Sequence, residues 1–274
     1  MCAASLARQL DAVALLGKVA EKGVSVGTRN GETTIADVAR LAGSLDVSPA
    51  TVRRDLQYLE DQGFLRRTHG GAVLPFESTA FYPQHESKLQ QQQPEKAAIA
   101  RLAAQRVANG DVVVLDSGTT TLLLARELRT KRDLTIVTSD LKIALELTDV
   151  PGFEVICVGG TVRPRSYNTL GSFAEQMLRE LHANHTFLGA DGIDLRAGVT
   201  NATVTEVPVK RLMMACGLAV TLVADHSKFG RVGLAKVADL TDFVEIITSP
   251  GLSAEALKRF HAAGARLTVA AEGE

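Results

Sequence analysis

The chain has 274 residues, 46% hydrophobic and 22% charged, a balance typical of a folded globular protein and not of a disordered one. Its net charge is −1, and residues 1–75 carry 9 Lys and Arg against 8 Asp and Glu, so the bulk basicity of many nucleic-acid binders is missing. The sequence shows no bilayer-length apolar run, no signal peptide and no metal-ligand spacing among its three cysteines, and we expect a cytoplasmic protein with buried thiols and no membrane partner.

A first helix is predicted over residues 5–22, where apolar side chains recur along one face and Gly23 can end the helix. The polar stretch 24–33 follows, and its Asn30-Gly31 pair is compatible with a tight turn between two strands. Thr34-Ile-Ala-Asp37 then has the spacing of a capping box and predicts a second helix over residues 35–41. The inner face of that helix would hold Ile35, Val38, Ala39 and Ala42.

A third helix is predicted between Ser48, which can cap it, and Gly63, which can end it, with Pro49 at its first position. One face is apolar at helical spacing, through Val52, Leu56 and Leu59. The opposite face carries side chains that suit base edges: Arg for guanine, Gln for adenine, Ala or Thr for the thymine methyl. The candidate DNA contacts on this helix are Ser48, Ala50, Thr51, Arg53, Arg54, Gln57 and Tyr58.

Residues 64–73 predict a hairpin, because two short strands flank Gly70-Gly71. Two helices followed by a hairpin are typical of a winged helix, whose second helix enters the major groove. The wing would bring Arg66, Arg67 and His69 near phosphates or the minor groove. The alternative is an ordinary surface helix with two arginines, but the elements on both sides of the helix favour DNA binding.

An interdomain linker is predicted over residues 76–93, which contain Pro83 and four consecutive glutamines and lack helical periodicity. It would join a DNA-binding domain over residues 1–75 to a second domain over residues 94–274. In that second domain, continuous apolar runs predict buried parallel strands at residues 112–115, 134–137, 155–158, 187–189, 218–224 and 243–247. Helices are predicted around and between them, at residues 94–108, 120–129, 140–147, 172–181, 204–216 and 253–263.

The predicted fold is therefore an N-terminal winged helix-turn-helix followed by a C-terminal doubly wound α/β domain, whose ligands bind beyond the carboxyl ends of the strands. The loop Asp116-Ser-Gly-Thr-Thr-Thr121 lies at such an end and leads directly into a helix. We expect Gly118 to allow a tight turn. The helix amides and the hydroxyls of Ser117, Thr119, Thr120 and Thr121 would all donate toward one anion.

The loop is neither a Walker loop nor a dinucleotide-binding glycine motif, so a small phosphorylated ligand fits it better than a nucleotide does. An N-capped helix with a polar start is the alternative. Polar residues follow other strands and should converge on the same edge, as a polyol-phosphate pocket requires. They are Thr138, Ser139, Gly159, Gly160, Asp191, Glu206, Lys210, Asp225 and Lys228.

Two further patterns near these residues have alternative interpretations. Glu206 and Lys210, one helical turn apart, could instead form a surface ion pair. His182 and His185 are spaced like metal ligands, but no Cys or carboxylate accompanies them at a matching spacing. We therefore predict no metal site and no cofactor.

Several motifs resemble the deoxyribose-operon repressor (DeoR) family, from about the first helix nearly to the end of the chain. They are Val47-Ser-Pro-Ala-Thr-Val-Arg-Arg-Asp-Leu, Leu65-Arg-Arg-Thr-His-Gly-Gly-Ala, Leu115-Asp-Ser-Gly-Thr-Thr-Thr, Gly189-Ala-Asp-Gly and Ala224-Asp-His-Ser-Lys-Phe-Gly. The resemblance implies a bacterial regulator, usually a repressor, of sugar or polyol catabolism. It further implies binding of operator DNA as a homodimer or homotetramer and binding of a phosphorylated sugar or polyol effector. Residues 24–33 make the connection to the second helix longer than is usual in the family.

The second domain also resembles ribose-5-phosphate isomerase, so an aldose–ketose sugar-phosphate isomerase is the rival interpretation. Asp191 and Glu206 could then act as carboxylates in proton transfer. However, the isomerase motif Asp-Gly-Ala-Asp-Glu reads Leu188-Gly-Ala-Asp-Gly192 here, and the Lys-Gly-Gly-Gly loop is missing from the sequence. We expect binding without turnover. A regulator that activates transcription, or whose ligand increases its affinity for DNA, is a third alternative.

Overall fold

The computed structural model describes residues 27–29, 32–45, 47–61, 66–68, 71–73, 91–163 and 166–271. The chain divides into two compact units, Met1–Pro83 and Gln84–Glu274. The helix predicted over residues 5–22 and most of the predicted linker lie outside the described residues. The linker's last position, Gln93, is already helical.

Within the described residues, the N-terminal unit contains a four-stranded antiparallel sheet and two helices. Its elements are β1 (Gly27–Arg29), β2 (Glu32–Asp37), α1 (Val38–Leu45), α2 (Pro49–Asp61), β3 (Arg66–Thr68) and β4 (Gly71–Val73). The strands lie in the order β1-β2-β4-β3. The pairing of Arg66 with Val73 confirms the predicted wing hairpin, and that of Arg29 with Glu32 confirms the strand pair considered around Asn30-Gly31, two residues that themselves lie outside the described ones.

The start predicted for the second helix is wrong. Residues 34–37 belong to β2 and not to a capping box, and α1 begins only at Val38. The β-branched residues Thr33, Thr34 and Ile35 favour a strand, and β2 is paired on both sides, with β1 and with wing strand β4. Val38 and Ala42 are buried as predicted, whereas Ala39 is exposed because the helix begins later.

Helix α2 agrees with its prediction. The amide of Thr51 donates to the Ser48 hydroxyl at 3.1 Å, which confirms the cap. Val52 and Leu56 are buried, as the apolar stripe predicts. The side chain of Leu59 and the whole of Gly63 lie outside what the structure describes.

The C-terminal unit has twelve described strands. In chain order they are β5 (Val112–Leu115), β6 (Thr135–Thr138), β7 (Glu154–Cys157), β8 (Thr161–Val162), β9 (Thr169–Leu170), β10 (Ala183–Leu188), β11 (Gly192–Asp194), β12 (Gly198–Asn201), β13 (Gly217–Val223), β14 (Ala235–Ala238), β15 (Glu245–Thr248) and β16 (Leu267–Val269). Its helices are α3 (Gln93–Ala104), α4 (Thr119–Leu128), α5 (Leu141–Thr148), α6 (Ser172–Arg179), α7 (Val207–Cys216) and α8 (Ala254–Ala262).

Seven of the strands form one parallel sheet in the order β16-β15-β13-β10-β5-β6-β7. Adjacent residues of β5 show why both faces are covered. Val113 packs in a cluster with α3, α4 and α5, and Val114 packs in a cluster with α6 and α7. Such double burial explains the continuous apolar runs and confirms the doubly wound α/β prediction.

The chain runs outward from β5 to β7 and then returns to β10 on the other side of β5. The strand order therefore reverses between β5 and β10, where doubly wound folds bind ligands. Three features were not predicted: strand β16, the hairpin β8–β9 and the small sheet β11-β12-β14. Helix α3 also ends at Ala104, before the predicted residue 108.

Candidate functional site

The outer face of α2 presents the side chains predicted to contact DNA. Those whose side chains the structure describes, Ser48, Ala50, Thr51, Arg53, Arg54 and Gln57, are all exposed. The Ser48 hydroxyl is occupied by its cap and by a 2.9 Å hydrogen bond with the Thr51 hydroxyl. Arg66 and Arg67 lie on wing strand β3, but their side chains and that of Tyr58 are not described, and His69 lies outside the described residues.

A buried ion pair holds the two strand ends at the reversal point together. The Asp116 carboxylate, just after β5, accepts from the Gly189 amide at 2.9 Å and pairs closely with Lys210 of α7. Lys210 also donates to the Gly189 carbonyl at 3.1 Å. Only 7% of the Lys210 side chain and 4% of the Asp116 side chain are exposed. This pair is therefore a structural link between β5, β10 and α7.

The charges around Lys210 keep it protonated. Burial acts to lower its pKa, but the negative charges of Asp116 and Glu206 outweigh that effect and leave the pKa above its ordinary value. Burial raises the pKa of the Asp116 carboxyl, and Lys210 limits that rise by attraction and hydrogen bonding. The two groups thus stabilise each other as ions.

Asp140, which the sequence placed only at the start of a helix, shapes the loop after β5. It accepts from the Ser117 hydroxyl at 2.8 Å, from the Gly118 amide, and from the amides of Lys142 and Ile143 in α5. The Asp140 side chain is fully buried, and desolvation raises its pKa. Its position directly after Ser139 at the end of β6 was the sequence signal that could have identified it.

The prediction that every hydroxyl of the loop donates to one anion is wrong. Besides Ser117, the Thr121 hydroxyl is engaged with the Gly118 carbonyl at 3.0 Å, and that of Thr138 with the Leu115 carbonyl at 2.8 Å. Nor does Gly118 make a tight turn, since its φ of 161° is extended.

A smaller set of hydrogen-bond donors is still available to an anion at the start of α4. Thr119 and Thr120 are buried, and neither hydroxyl hydrogen-bonds to any residue that the structure describes. Helix α4 also begins without a side-chain cap, so its first amides are not occupied in that way.

Glu206 is the centre of a second buried network. Its carboxylate pairs closely with Arg163 and accepts from the amides of Asn201 and, at 3.4 Å, Asn168. The suggested surface pair between Glu206 and Lys210 is wrong, because both side chains are buried and each has a different ionic partner. Arg163, Asn168 and Asn201 were not predicted, since two of them lie on a hairpin that an apolar-run search cannot detect.

The other predicted residues mainly shape the surrounding loops. Asp191 accepts from the Ala202 amide at 2.9 Å, and buried Asp225 accepts from the Ser227 amide at 3.0 Å. Gly160, which follows Gly159, has φ 141°, and a Cβ at position 160 would lie 2.5 Å from the Leu170 carbonyl oxygen. Hairpin β8–β9 therefore requires glycine at position 160. Ser139 is buried and accepts at its carbonyl from Thr169, and Lys228 is half-buried.

The two histidines lie at the amino edge of the sheet. Nε2 of His185 is 3.5 Å from Asp111, and His182 is exposed. No three His, Cys, Asp or Glu side chains gather as metal ligands within the described ranges.

The expectation of buried thiols is wrong for Cys157, which is exposed at the end of edge strand β7, and Cys216 is buried. None of the described helices is long and apolar enough to cross a bilayer.

Comparison with known proteins identifies two matching family models. The DeoR-like helix-turn-helix domain matches residues 32–77, and the DeoR C-terminal sensor domain matches residues 91–250. Among solved structures, ribose 5-phosphate isomerase A from Methanocaldococcus jannaschii overlaps 49% of this chain and 53% of its own, at TM-score 0.36 and 15% identity. Similarity at this level does not bear on activity.

Curated relatives match over most of their length. The HTH-type transcriptional regulator GolR of Listeria innocua is 32% identical over 88% of this chain and 94% of its own. The transcriptional repressor AccR of Agrobacterium fabrum is 37% identical over 78% and 83%, and the glycerol-3-phosphate regulon repressor of Escherichia coli is 35% identical over 73% and 79%. The winged helix-turn-helix, the α/β unit and these matches together show that the chain belongs to the DeoR family of transcriptional regulators.

Proposed function

We propose that this regulator represses a sugar or polyol catabolic operon and that a phosphorylated sugar or polyol controls it. The observation that carries the ligand proposal is the start of α4, which has no side-chain cap, lies at the strand-order reversal and adds two buried threonine hydroxyls. A helix start with free donors favours an anion through its dipole and its amides. The carboxylates and amides around Glu206 and Asp191 can meet the hydroxyls of the same ligand.

The α2 face supports the DNA-binding half of the proposal. Arg53, Arg54 and Gln57 are exposed opposite the buried Val52 and Leu56, as base readout in a major groove requires. A homodimer or homotetramer would present two such helices to half-sites about 34 Å apart or a multiple of that distance. Ligand binding would favour a state in which the helices no longer match the half-sites, with a coupling of about 1–3 kcal/mol.

The site supports binding without turnover. An isomerase needs a positioned base and a group that handles the enediolate charge, but Lys210 is committed to Asp116 and the isomerase motif reads Leu188-Gly-Ala-Asp-Gly192 in this chain. Incubation with ribose 5-phosphate should therefore yield no ribulose 5-phosphate. Measurable conversion by the purified protein, lost in a Glu206→Gln variant, would instead favour the isomerase interpretation.

A thermal-shift screen against phosphorylated sugars and polyols tests the ligand. A compound that binds only the native state raises Tm, by linkage. The same compound should then lower affinity for an operator selected from random-sequence DNA. A ligand that raises Tm but strengthens DNA binding would replace relief of repression with co-repression. A screen in which no phosphorylated compound raises Tm would reject the sensor proposal.

A further inference from the structure

We propose that Arg163 is the cation that binds the anionic group of the effector and that Arg163 pairs with Glu206 while the effector is absent. This inference deepens the proposed function and rests on it. It separates two cations at one sheet edge, the buried Lys210 and the partly exposed Arg163, giving Lys210 a structural role and Arg163 the ligand contact.

The topology places Arg163 beside the loop after β5. Hairpin β8–β9, which carries Arg163, lies against the ends of β6 and β7, where the Thr169 amide donates to the Ser139 carbonyl at 2.9 Å. Glu206 lies just before α7, whose Lys210 binds Asp116 at the end of β5. Strand β5 lies between β6 and β10. The Arg163–Glu206 pair therefore joins the hairpin bound at the end of β6 to the segment before α7, which is bound at the ends of β5 and β10.

A series of contacts links the loop after β5 to the Arg163–Glu206 pair. The Ser117 hydroxyl donates to Asp140, the backbone of Asp140 bridges to that of Asn168, and the Asn168 amide donates to Glu206. Lys210 follows Glu206 by one helical turn and returns to Asp116. The loop that leads into α4 is therefore linked to Arg163 through Asp140, Asn168 and Glu206.

Lys210 and Arg163 differ in the hydrogen bonds that their carboxylate partners would keep if the cation moved away. Releasing Lys210 would break its bonds to Asp116 and to the Gly189 carbonyl, and it would leave the Asp116 carboxylate with the Gly189 amide alone. Glu206, by contrast, would keep the amides of Asn168 and Asn201 if Arg163 moved away. The cost of leaving a buried carboxylate unsatisfied is thereby reduced, and exchange of Arg163 is the easier of the two.

A phosphate at the start of α4 supplies the new partner. Arginine binds phosphate through two parallel N–H donors, and such charge-assisted bonds are about twice as strong as neutral ones. The donors already identified there, helix amides and the hydroxyls of Thr119 and Thr120, are all neutral. Transfer of Arg163 would add the compensating charge and free a Glu206 oxygen to accept from a ligand hydroxyl.

Two variants with opposite expected signs test the transfer, with inorganic phosphate as the probe and Tm against phosphate concentration as the measurement. Arg163→Gln removes the cation and should weaken apparent phosphate affinity about 10- to 100-fold. Glu206→Gln removes the competing charge and should tighten it about 3- to 10-fold, because more of the arginine is available. A purely structural pair would give losses in both.

Arg106→Gln is the matched control. Arg106 forms a two-bond ion pair with Glu245, at 2.8 and 2.9 Å, on the opposite edge of the same sheet. Its loss should leave phosphate affinity within about 2-fold of the parent protein. A parent protein whose Tm ignores phosphate and all phosphorylated sugars counts against the proposed function itself. The transfer is overturned if Arg163→Gln binds phosphate as tightly as the parent protein does. It is also overturned if Glu206→Gln does not bind phosphate more tightly than the parent. Either result leaves the proposed function standing.

Discussion

Lys210 and Arg163 are both paired with carboxylates, but different contacts hold them. A lysine with 7% of its side chain exposed is tolerable because Asp116 lies against it and the Gly189 carbonyl accepts another of its protons. The sequence showed a lysine at a plausible position in a helix, and helical spacing suggested Glu206 as its partner. The actual partner is 94 positions away, a distance at which only the strand order decides which residues meet.

Replacing Lys210 with Met should destabilise the protein before it affects ligand binding. The uncompensated Asp116 carboxylate would remain buried, and breaking such a pair costs about 3–5 kcal/mol in the free energy of unfolding. Urea denaturation measures the loss. Adding Asp116→Asn to the Met variant should recover a large part of it, since no buried charge then remains.

The matched control for this change is Lys236→Met, which removes an exposed lysine paired with Asp239. Exposed pairs contribute at most about 1 kcal/mol, so the unfolding midpoint should move little. A Lys210→Met protein as stable as the Lys236→Met protein would show that the buried pair has no structural role.

At the scale of elements, strands and helices with one dominant apolar signal could be predicted, and those fixed by their neighbours could not. Strand β5 agrees with its four-residue apolar run, since both of its faces are buried. Strand β2 resembles a helix start in sequence, but pairing with β1 and β4 outweighs local capping preference. Hairpin β8–β9 has two-residue strands and polar contacts, so periodicity gave no signal for it.

The start of α4 permits a prediction about a single element. Thr119→Val and Thr120→Val each keep the shape of the side chain while removing a hydroxyl donor. Because these hydroxyls have no hydrogen-bond partner within the described residues, their loss should leave stability nearly unchanged. The double variant should weaken phosphate binding about 30-fold, through two lost hydrogen bonds of about 1 kcal/mol each.

Thr121→Val provides the comparison, because that hydroxyl donates to the Gly118 carbonyl and not toward a ligand. Its effect should appear in the free energy of unfolding and hardly in phosphate affinity. The two variants thus separate a ligand contact from a structural one on the same helical turn. If Thr121→Val weakened phosphate binding as much as the double variant did, the helix start would not be the phosphate position.

At the scale of the whole molecule, the proposed function assigns different partners to the two units, operator DNA to the first and a phosphorylated effector to the second. The N-terminal unit carries exposed Arg53 and Arg54, and residues 1–75 have nearly balanced charge. Non-specific attraction to phosphates is then weak, so base contacts should supply an unusually large share of operator affinity. This balance also explains why composition gave no indication of DNA binding, whereas the motif order did.

The corresponding prediction concerns Arg53→Ala and Arg54→Ala, tested on an operator selected with the parent protein from random-sequence DNA. Each change should cost about 1–3 kcal/mol of operator affinity if the arginine contacts a base, and it should relax specificity at that position. Fluorescence anisotropy at two salt concentrations distinguishes base from phosphate contacts, because only a lost phosphate contact lowers the salt slope.

The exposed Arg101 on α3 of the other unit provides the control variant Arg101→Ala, which should keep operator affinity. All three variants should retain the phosphate-induced rise in Tm, since the proposed ligand site consists of residues of the C-terminal unit. Unchanged operator affinity in both α2 variants would remove that helix from the DNA interface.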